Sequence, residues 1–316
     1  MFVSLHGRRF GFDQNGLLFD GRPVGAFTAR SPRGKVFFVD SAIDATEGSS
    51  PDTAVGTLDE AFALCTASQG DVIYVMPNHA ETVTGAGGIT HDVAGVSVIG
   101  LGTYNQRPRF LMDAGTSVTY VISAADAHVE NLVFAAGHAD IVTCFNITGV
   151  GATLVNIEFV ENVADENFLT MIKATGAANT ADGLKIVGCR SIGIDVNAVE
   201  FLEVTDNLDG LVMTDNVVIQ SGGTATPLFL CAGTKVLTNM MVLRNFLQNA
   251  NTANDLAFDN GGSANTGIIA YNNIGHADVT GAHVLGAVAG ARFFENRSVS
   301  TDALSGLLLP AADVDL

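Results

Sequence analysis

Tryptophan is absent from this 316-residue chain, tyrosine and cysteine occur four times each, and 15 Lys or Arg face 33 Asp or Glu. Each shortage removes a class of function. Sugar-binding grooves set aromatic platforms against the apolar faces of pyranose rings, and Tyr74, Tyr104, Tyr120 and Tyr271 without any Trp supply few of them. Cys65, Cys144, Cys189 and Cys231 stand far apart with no CxxC or Cys/His cluster, so neither a disulfide framework nor a zinc site is indicated, and three of them fall in strand-like apolar runs that suit buried free thiols. No run reaches the roughly 18 apolar residues of a membrane span, and residues 1 to 30 hold scattered arginines with no signal-peptide core. The chain therefore reads as soluble, with no secretion signal. GxxxxGKS/T, GxSxG and HExxH are all missing, which leaves nucleotide, serine-hydrolase and zinc-protease chemistry without a motif.

The net charge of −18 is unevenly spread. Arg8, Arg9, Arg22, Arg30, Arg33 and Lys35 outnumber Asp13 and Asp20 in the first 35 residues, which carry +4 and leave −22 for the rest. An acidic body disfavours nucleic acid and anionic membrane, because phosphate binding needs clustered cations that release counterions. The basic end suits an acidic partner.

What the chain has in quantity is glycine, 35 residues, with 47% apolar content that includes 19 Phe. That combination fits repeated tight turns around an aliphatic and phenylalanine-filled interior. The leader alternates short strands (Phe2 to Leu5, Phe10 to Phe12, Leu17 to Phe19) with turns at Asp13 to Gly16 and Asp20-Gly21, the pattern of one or two small hairpins. A strand at Val36 to Val39 and a polar loop come next. Thr57-Leu58-Asp59-Glu60 is a capping box opening a helix, on which Leu58, Ala61, Phe62 and Cys65 make one apolar face. Such a helix blunts the open end of a stack of strands.

From about residue 90, apolar runs recur, beginning at Val96, Val129, Leu154, Leu184, Leu211, Met240, Ile268 and Ala291. Aligning the ends of the last seven, at Phe134, Phe159, Cys189, Asn216, Asn245, Asn273 and Asn296, gives a drifting interval of 23 to 30 residues. A β-sandwich would show turn signals roughly every 8 to 12 residues, whereas coils of a parallel solenoid must each return to stack on the last while their loops vary. The expected fold is all-β: a right-handed parallel β-helix with an N-terminal capping helix and a short hairpin leader. Its parts are expected at 1–35 (leader), 36–90 (cap and first coil), 91–300 (coils) and 301–316 (tail). Asn at the strand ends tolerates the left-handed bends between faces, and stacked Asn can form side-chain ladders.

The stretch Val36 to Val83, with VFFVDS, GTLDEAFALC and GDVIYVMPNHAETV, resembles the cap and first coil of the pectin-lyase-like β-helix superfamily. Within it, the leader LHGRRFGFDQNGLLFDG, the segment PNHAETVTGAGGIT followed by VAGVSVIGLG, and the tail SGLLLPA are most similar to small β-helix proteins of tailed phages. The resemblance implies a virion component, made in the bacterial cytoplasm and assembled as a homotrimer on other virion proteins, either the major capsid protein or a tail component. It is weak for activity, because the superfamily spans lyases, hydrolases, tailspikes and inert structural proteins.

Catalytic patterns are thin. A pectate-lyase site would need acidic calcium ligands beside a basic residue, and Lys173, Lys185 and Arg190 are the nearest candidates. The NTD, GxDD, GHG and RIK elements of polygalacturonases do not occur. Glu158, Glu161, Asp165 and Glu166, with Asp140 on a neighbouring coil, are the densest acidic set for a glycosidase pair. GHAD occurs twice, from Gly137 and from Gly275, about five coils apart and too distant to share one site. The expected function is accordingly non-enzymatic, a capsid-decorating, cement, spike or fibre subunit with no catalytic residue, cofactor or metal. Docking is expected through Arg8, Arg9, Arg22, Phe2, Phe10 and Phe12 of the leader and Leu307, Leu308 and Leu309 of the tail. A polysaccharide-cleaving tailspike and a host-surface adhesin remain the alternatives, with a host glycan as their partner.

Overall fold

The runs that recur along the sequence are corners. In the computed structural model VENLVF is two strands, His128–Glu130 and Val133–Ala136, separated by Asn131 and Leu132. Asn131 has φ 59°, the left-handed conformation that turns the chain sharply, while Leu132 is buried. The same two-residue corner recurs at Asn156-Ile157, Gly188-Cys189, Asp215-Asn216, Arg244-Asn245, Tyr271-Asn272 and Glu295-Asn296, with positive φ at the first residue of each. The aligned column is therefore Leu132, Ile157, Cys189, Asn216, Asn245, Asn272, Asn296. The sequence reading is two residues late at Phe134 and Phe159 and one late at Asn273. Asn131 and Asn156 make the left-handed bend expected of strand-end asparagines, whereas at the last four corners Asp215, Arg244, Tyr271 and Glu295 make it and the asparagine that follows points inward.

The structure describes residues 34–85, 87–161, 165–177, 179–193, 200–220, 228–231, 235–249, 258–260, 264–276 and 290–300, with strands in 2–23 and at 306–307. Strands on the two sides of the corners stack into two ten-stranded sheets, and seven return segments form a third sheet. The first sheet runs from Val36–Val39 to Ala291–Phe294, the second from Ala80–Val83 to Gly306–Leu307, and the third from Ile89–His91 to Phe258–Asn260. Every pairing between coils in these sheets is parallel except the last, so the fold is a parallel β-solenoid, with crossovers of the kind that take the right-handed course. Its interior is a continuous cluster in which Phe110 and Phe134 stack with ring centroids 5.3 Å apart, while Phe134 meets Phe145 (4.8 Å) and Phe159 meets Phe201 (6.0 Å) edge to face. Cys144, Cys189 and Cys231 are buried and Cys65 is half-buried, all as free thiols.

The helix Leu58–Leu64 closes the first coil as its capping box foretells. Thr57 Oγ1 accepts from Glu60 N–H at 3.3 Å, Glu60 Oε2 accepts from Thr57 N–H at 2.9 Å, and Leu58, Ala61 and Phe62 are buried. Tertiary contacts hold the helix in place. Glu81 Oε2 accepts from Leu58 N–H at 3.1 Å and meets His79 Nε2 at 3.3 Å, while His79 Nδ1 accepts from Ser41 N–H at 2.9 Å. The buried Asp71 carboxylate accepts from Lys35 and Thr66 N–H, tying the strand before the loop to the turn after the helix.

The later coils carry an amide ladder in place of apolar corner residues. Asn216, Asn245, Asn272 and Asn296 are fully buried. Oδ1 of Asn245 accepts both the backbone N–H (3.0 Å) and the Nδ2–H (2.8 Å) of Asn216, and Oδ1 of Asn272 accepts the same pair from Asn245, each at 2.9 Å. The second Nδ2 hydrogen goes to a strand carbonyl, that of Met213 for Asn245 and that of Val242 for Asn272. Asn216 Oδ1 accepts from Cys189 N–H at 2.8 Å, so the ladder ends on the first corner without an asparagine.

Candidate functional site

The leader forms a four-stranded antiparallel ribbon of Phe2–Leu5, Arg8–Asp13, Gly16–Phe19 and Arg22–Pro23, whose strands are joined in every case by two residues. This matches the hairpins read from the sequence and adds a fourth strand. Its register pairs Val3 with Phe10, Phe10 with Phe19, Phe12 with Leu17, Leu5 with Arg8 and Phe19 with Arg22. Directly paired positions and alternate positions along a strand share a face. Val3, Leu5, Phe10, Phe12, Leu17 and Phe19 therefore occupy positions on one face, with Arg8 and Arg22 at its ends. Phe2 and Arg9 fall on the other, so the expected docking residues divide between two faces.

At the far end, Gly306–Leu307 adds to the second sheet as an antiparallel strand on Arg297–Ser300. Leu307, expected to dock, lies in this strand in register with Arg297. Leu308 and Leu309 lie outside the described residues.

The surface feature missed in the sequence lies between these ends. Met241 (42% exposed), Ile268 (36%) and Phe294 (50%) lie on the eighth to tenth strands of the first sheet, Tyr271 (53%) at a corner, and Val217 (37%) and Phe246 (39%) at the starts of second-sheet strands just past the corners. The parallel register stacks Val217 under Phe246 and Met241 under Ile268, giving an apolar strip that exposed Asn273 and Arg292 follow in the same two columns. It is crossed by one ion pair, in which Arg244 Nε and Nη2 donate to the two Asp215 oxygens at 2.8 and 2.7 Å. On the first three strands of the same face, Phe38, Val72, Tyr74 and Ile99 form a separate apolar cluster that is already buried. The signal for the strip was available: MMVL and GIIA are apolar at every position, where a strand with one wet face should alternate.

Polar chemistry collects elsewhere. An open groove of about 440 Å³ on the third sheet is lined by Thr116, Thr119, Val142, Thr143, Asn146 and Lys173 among others. Lys173 stands in register between Asn146 and Glu203 and pairs with Glu203 at 2.8 Å. Three residues earlier, Glu200 is buried and accepts from Thr170 Oγ1 at 2.9 Å; burial pushes its carboxyl up to about 7, with the Thr170 bond opposing the shift and the Glu203 charge adding to it. Glu200 and Glu203 continue the columns of Thr143 and Asn146, which both line this groove, and the Glu203 and Lys173 charges both act on Glu200, so the two carboxyls are neighbours, with Glu203 held in its ion pair with Lys173.

Glu158, expected in an acidic cluster, instead bridges coils. Arg107 Nη1 donates to its Oε2 at 2.8 Å and Arg190 Nη1 to its Oε1 at 3.0 Å. Arg190 and Lys173, two of the three candidate lyase bases, are thus held in ion pairs, and Lys185 is exposed on the first sheet. Asp140 does reach the next coil, where its N–H donates to Asn167 Oδ1 at 3.0 Å. His138 follows strand Val133–Ala136 and His276 lies in Asn273–His276, five strands away in the second sheet, which keeps the two GHAD copies apart. Among the described residues no group of three or more His, Cys, Asp or Glu is arranged to hold a metal, and no helix is long and apolar enough to cross a membrane.

No family model and no curated protein matches this chain. Solved structures similar to it include a rhamnogalacturonan lyase (13% identity, 87% of this chain and 78% of that one, TM-score 0.43) and pectate lyase Pel9A (14%, 87% and 80%, 0.49). The protein ORF18 of Geobacillus virus E2 is also similar (10%, 93% and 68%, 0.43). What this chain does has to follow from its own residues.

Proposed function

We propose that this chain is a non-enzymatic structural subunit of a bacteriophage virion, a capsid-decorating or cement protein or a short spike or fibre, acting by docking and by self-association as a homotrimer. The observation that carries the reading is the exposed apolar strip from Val217 to Phe294. Contiguous apolar surface of this kind marks association sites in proteins that otherwise keep large hydrophobic side chains scattered. The basic leader ribbon supports docking, and the likeness of leader, first coil and tail to phage β-helix proteins supports the setting. The test is the mass of the purified protein in solution, together with a search for the chain in purified particles of the phage that encodes it. A trimer present in the particle is expected; a monomer absent from it overturns the proposal.

One observation favours a second reading, polysaccharide cleavage: the Glu200 carboxyl, raised to about 7, is suited to donate a proton near neutral pH. Release of oligosaccharide from host surface glycan by the wild type, lost in Glu200→Gln, would support it. The structural reading expects no release from either protein.

A further inference from the structure

We infer that the apolar strip receives the leader ribbon of a second copy of this chain. The inference rests on the self-association proposed above and names the two surfaces that carry it.

The faces match in size and character. The ribbon is four strands wide and sets six apolar positions on one face, Val3, Leu5, Phe10, Phe12, Leu17 and Phe19. The strip is four coils high and exposes six apolar side chains, so at ~4.8 Å per strand both are ~15 to 20 Å across. A four-stranded ribbon with one apolar face gains stability only when that face is covered, and sheet packing on sheet is the usual way to cover it. Charge is compatible: within the ribbon Arg8, Arg9 and Arg22 outnumber Asp13 and Asp20, a balance of +1, and the chain beyond residue 35 carries −22. Arg8 and Arg22, at the ends of the apolar ribbon face, would approach a body with a large acidic excess, whereas strip against strip would bring two such bodies together.

Reach favours a second copy. Residues 24–35 connect the ribbon to the first strand, Val36–Val39, and twelve residues span at most ~40 Å when fully extended. The strip begins six strands above that start and ends nine above it, about 29 to 43 Å along the axis. A chain's own leader would need that link drawn out almost straight. A neighbouring copy can present its leader without this constraint, and a leader-to-strip contact is heterologous, a kind that forms a ring when its rotation closes.

Complementation tests this in the full-length protein. One variant carries Phe10→Asp and Phe12→Asp in the leader, the other Met241→Asp and Phe246→Asp in the strip. Circular dichroism establishes that both retain the wild-type β signal. The wild type should be oligomeric by light scattering and each variant alone monomeric at 32.8 kDa. Their equimolar mixture should form a complex of about 66 kDa, twice the chain mass, through the one intact leader and the one intact strip. A leader variant that stays oligomeric while the strip variant dissociates overturns leader exchange in favour of strip-to-strip pairing, with the self-association reading intact. Two variants that both remain oligomeric, or two monomers that do not combine, also overturn it. A monomeric wild type removes both this inference and the self-association on which it rests.

Discussion

Replacing Asn245 by Leu should be far more damaging than the same change at Asn216, although both side chains are fully buried in one column. Losing the Asn245 amide strips two donors on Asn216, its backbone N–H and one Nδ2–H, of their common acceptor. Asn272 Oδ1 still accepts from the backbone N–H of residue 245, so the damage falls on one side. Losing the Asn216 amide orphans only Cys189 N–H, because the corner below it holds Cys189 in place of an asparagine. Each variant also deprives one strand carbonyl of a side-chain donor, Met213 or Ile186, and those losses cancel in the comparison. At about 1 to 3 kcal/mol per buried unsatisfied donor, Asn245→Leu should cost about 4 kcal/mol and Asn216→Leu about 2. Because a solenoid can open coil by coil, the measurement is amide hydrogen exchange on peptides covering residues 185–220 and 240–249, with urea unfolding alongside. Equal costs at the two sites, or a cost at Asn245 below about 1 kcal/mol, would refute the reasoning that the ladder is a directional chain of donors.

Three further outcomes follow from buried groups. Burial raises Glu200 from its usual 4.5 to about 7, so the folded protein holds a proton that the unfolded chain has released; wild-type stability should fall relative to Glu200→Gln as pH rises from 4.5 through 7, and parallel pH profiles would contradict this. His91 has the opposite sign: burial lowers it from 6.5 to about 3, its contribution is complete above 6.5, and stability should drop as pH falls toward 3, less steeply in His91→Gln, as urea midpoints across that range would reveal. Burial drives the thiols of Cys65 and Cys189 up to about 12 and that of Cys144 well above its ordinary value, so these should resist a thiol reagent at pH 8 in the native protein and react on unfolding, as mass spectrometry of the labelled peptides would show.

Sequence alone determined the features written in local chemistry. The Thr57 to Glu60 box sets the start of the capping helix because its donors and acceptors lie within one turn. The recurring apolar runs declare a stack of coils because each must bury its own share of one core, and the leader hairpins follow from turn residues spaced for short strands. Tertiary structure decided whatever depends on which coil lies above which. Left-handed Asp215, Arg244, Tyr271 and Glu295 moved the bend one residue ahead of each asparagine, a shift of phase that periodicity cannot resolve. Glu158 lost its place in an acidic cluster because Arg107 and Arg190, 51 and 32 residues away in the chain, converge on it. Unbroken apolar runs such as MMVL and GIIA hint at a second covered face, but the stacking of successive coils decides that Met241 and Phe246 are among the positions left exposed.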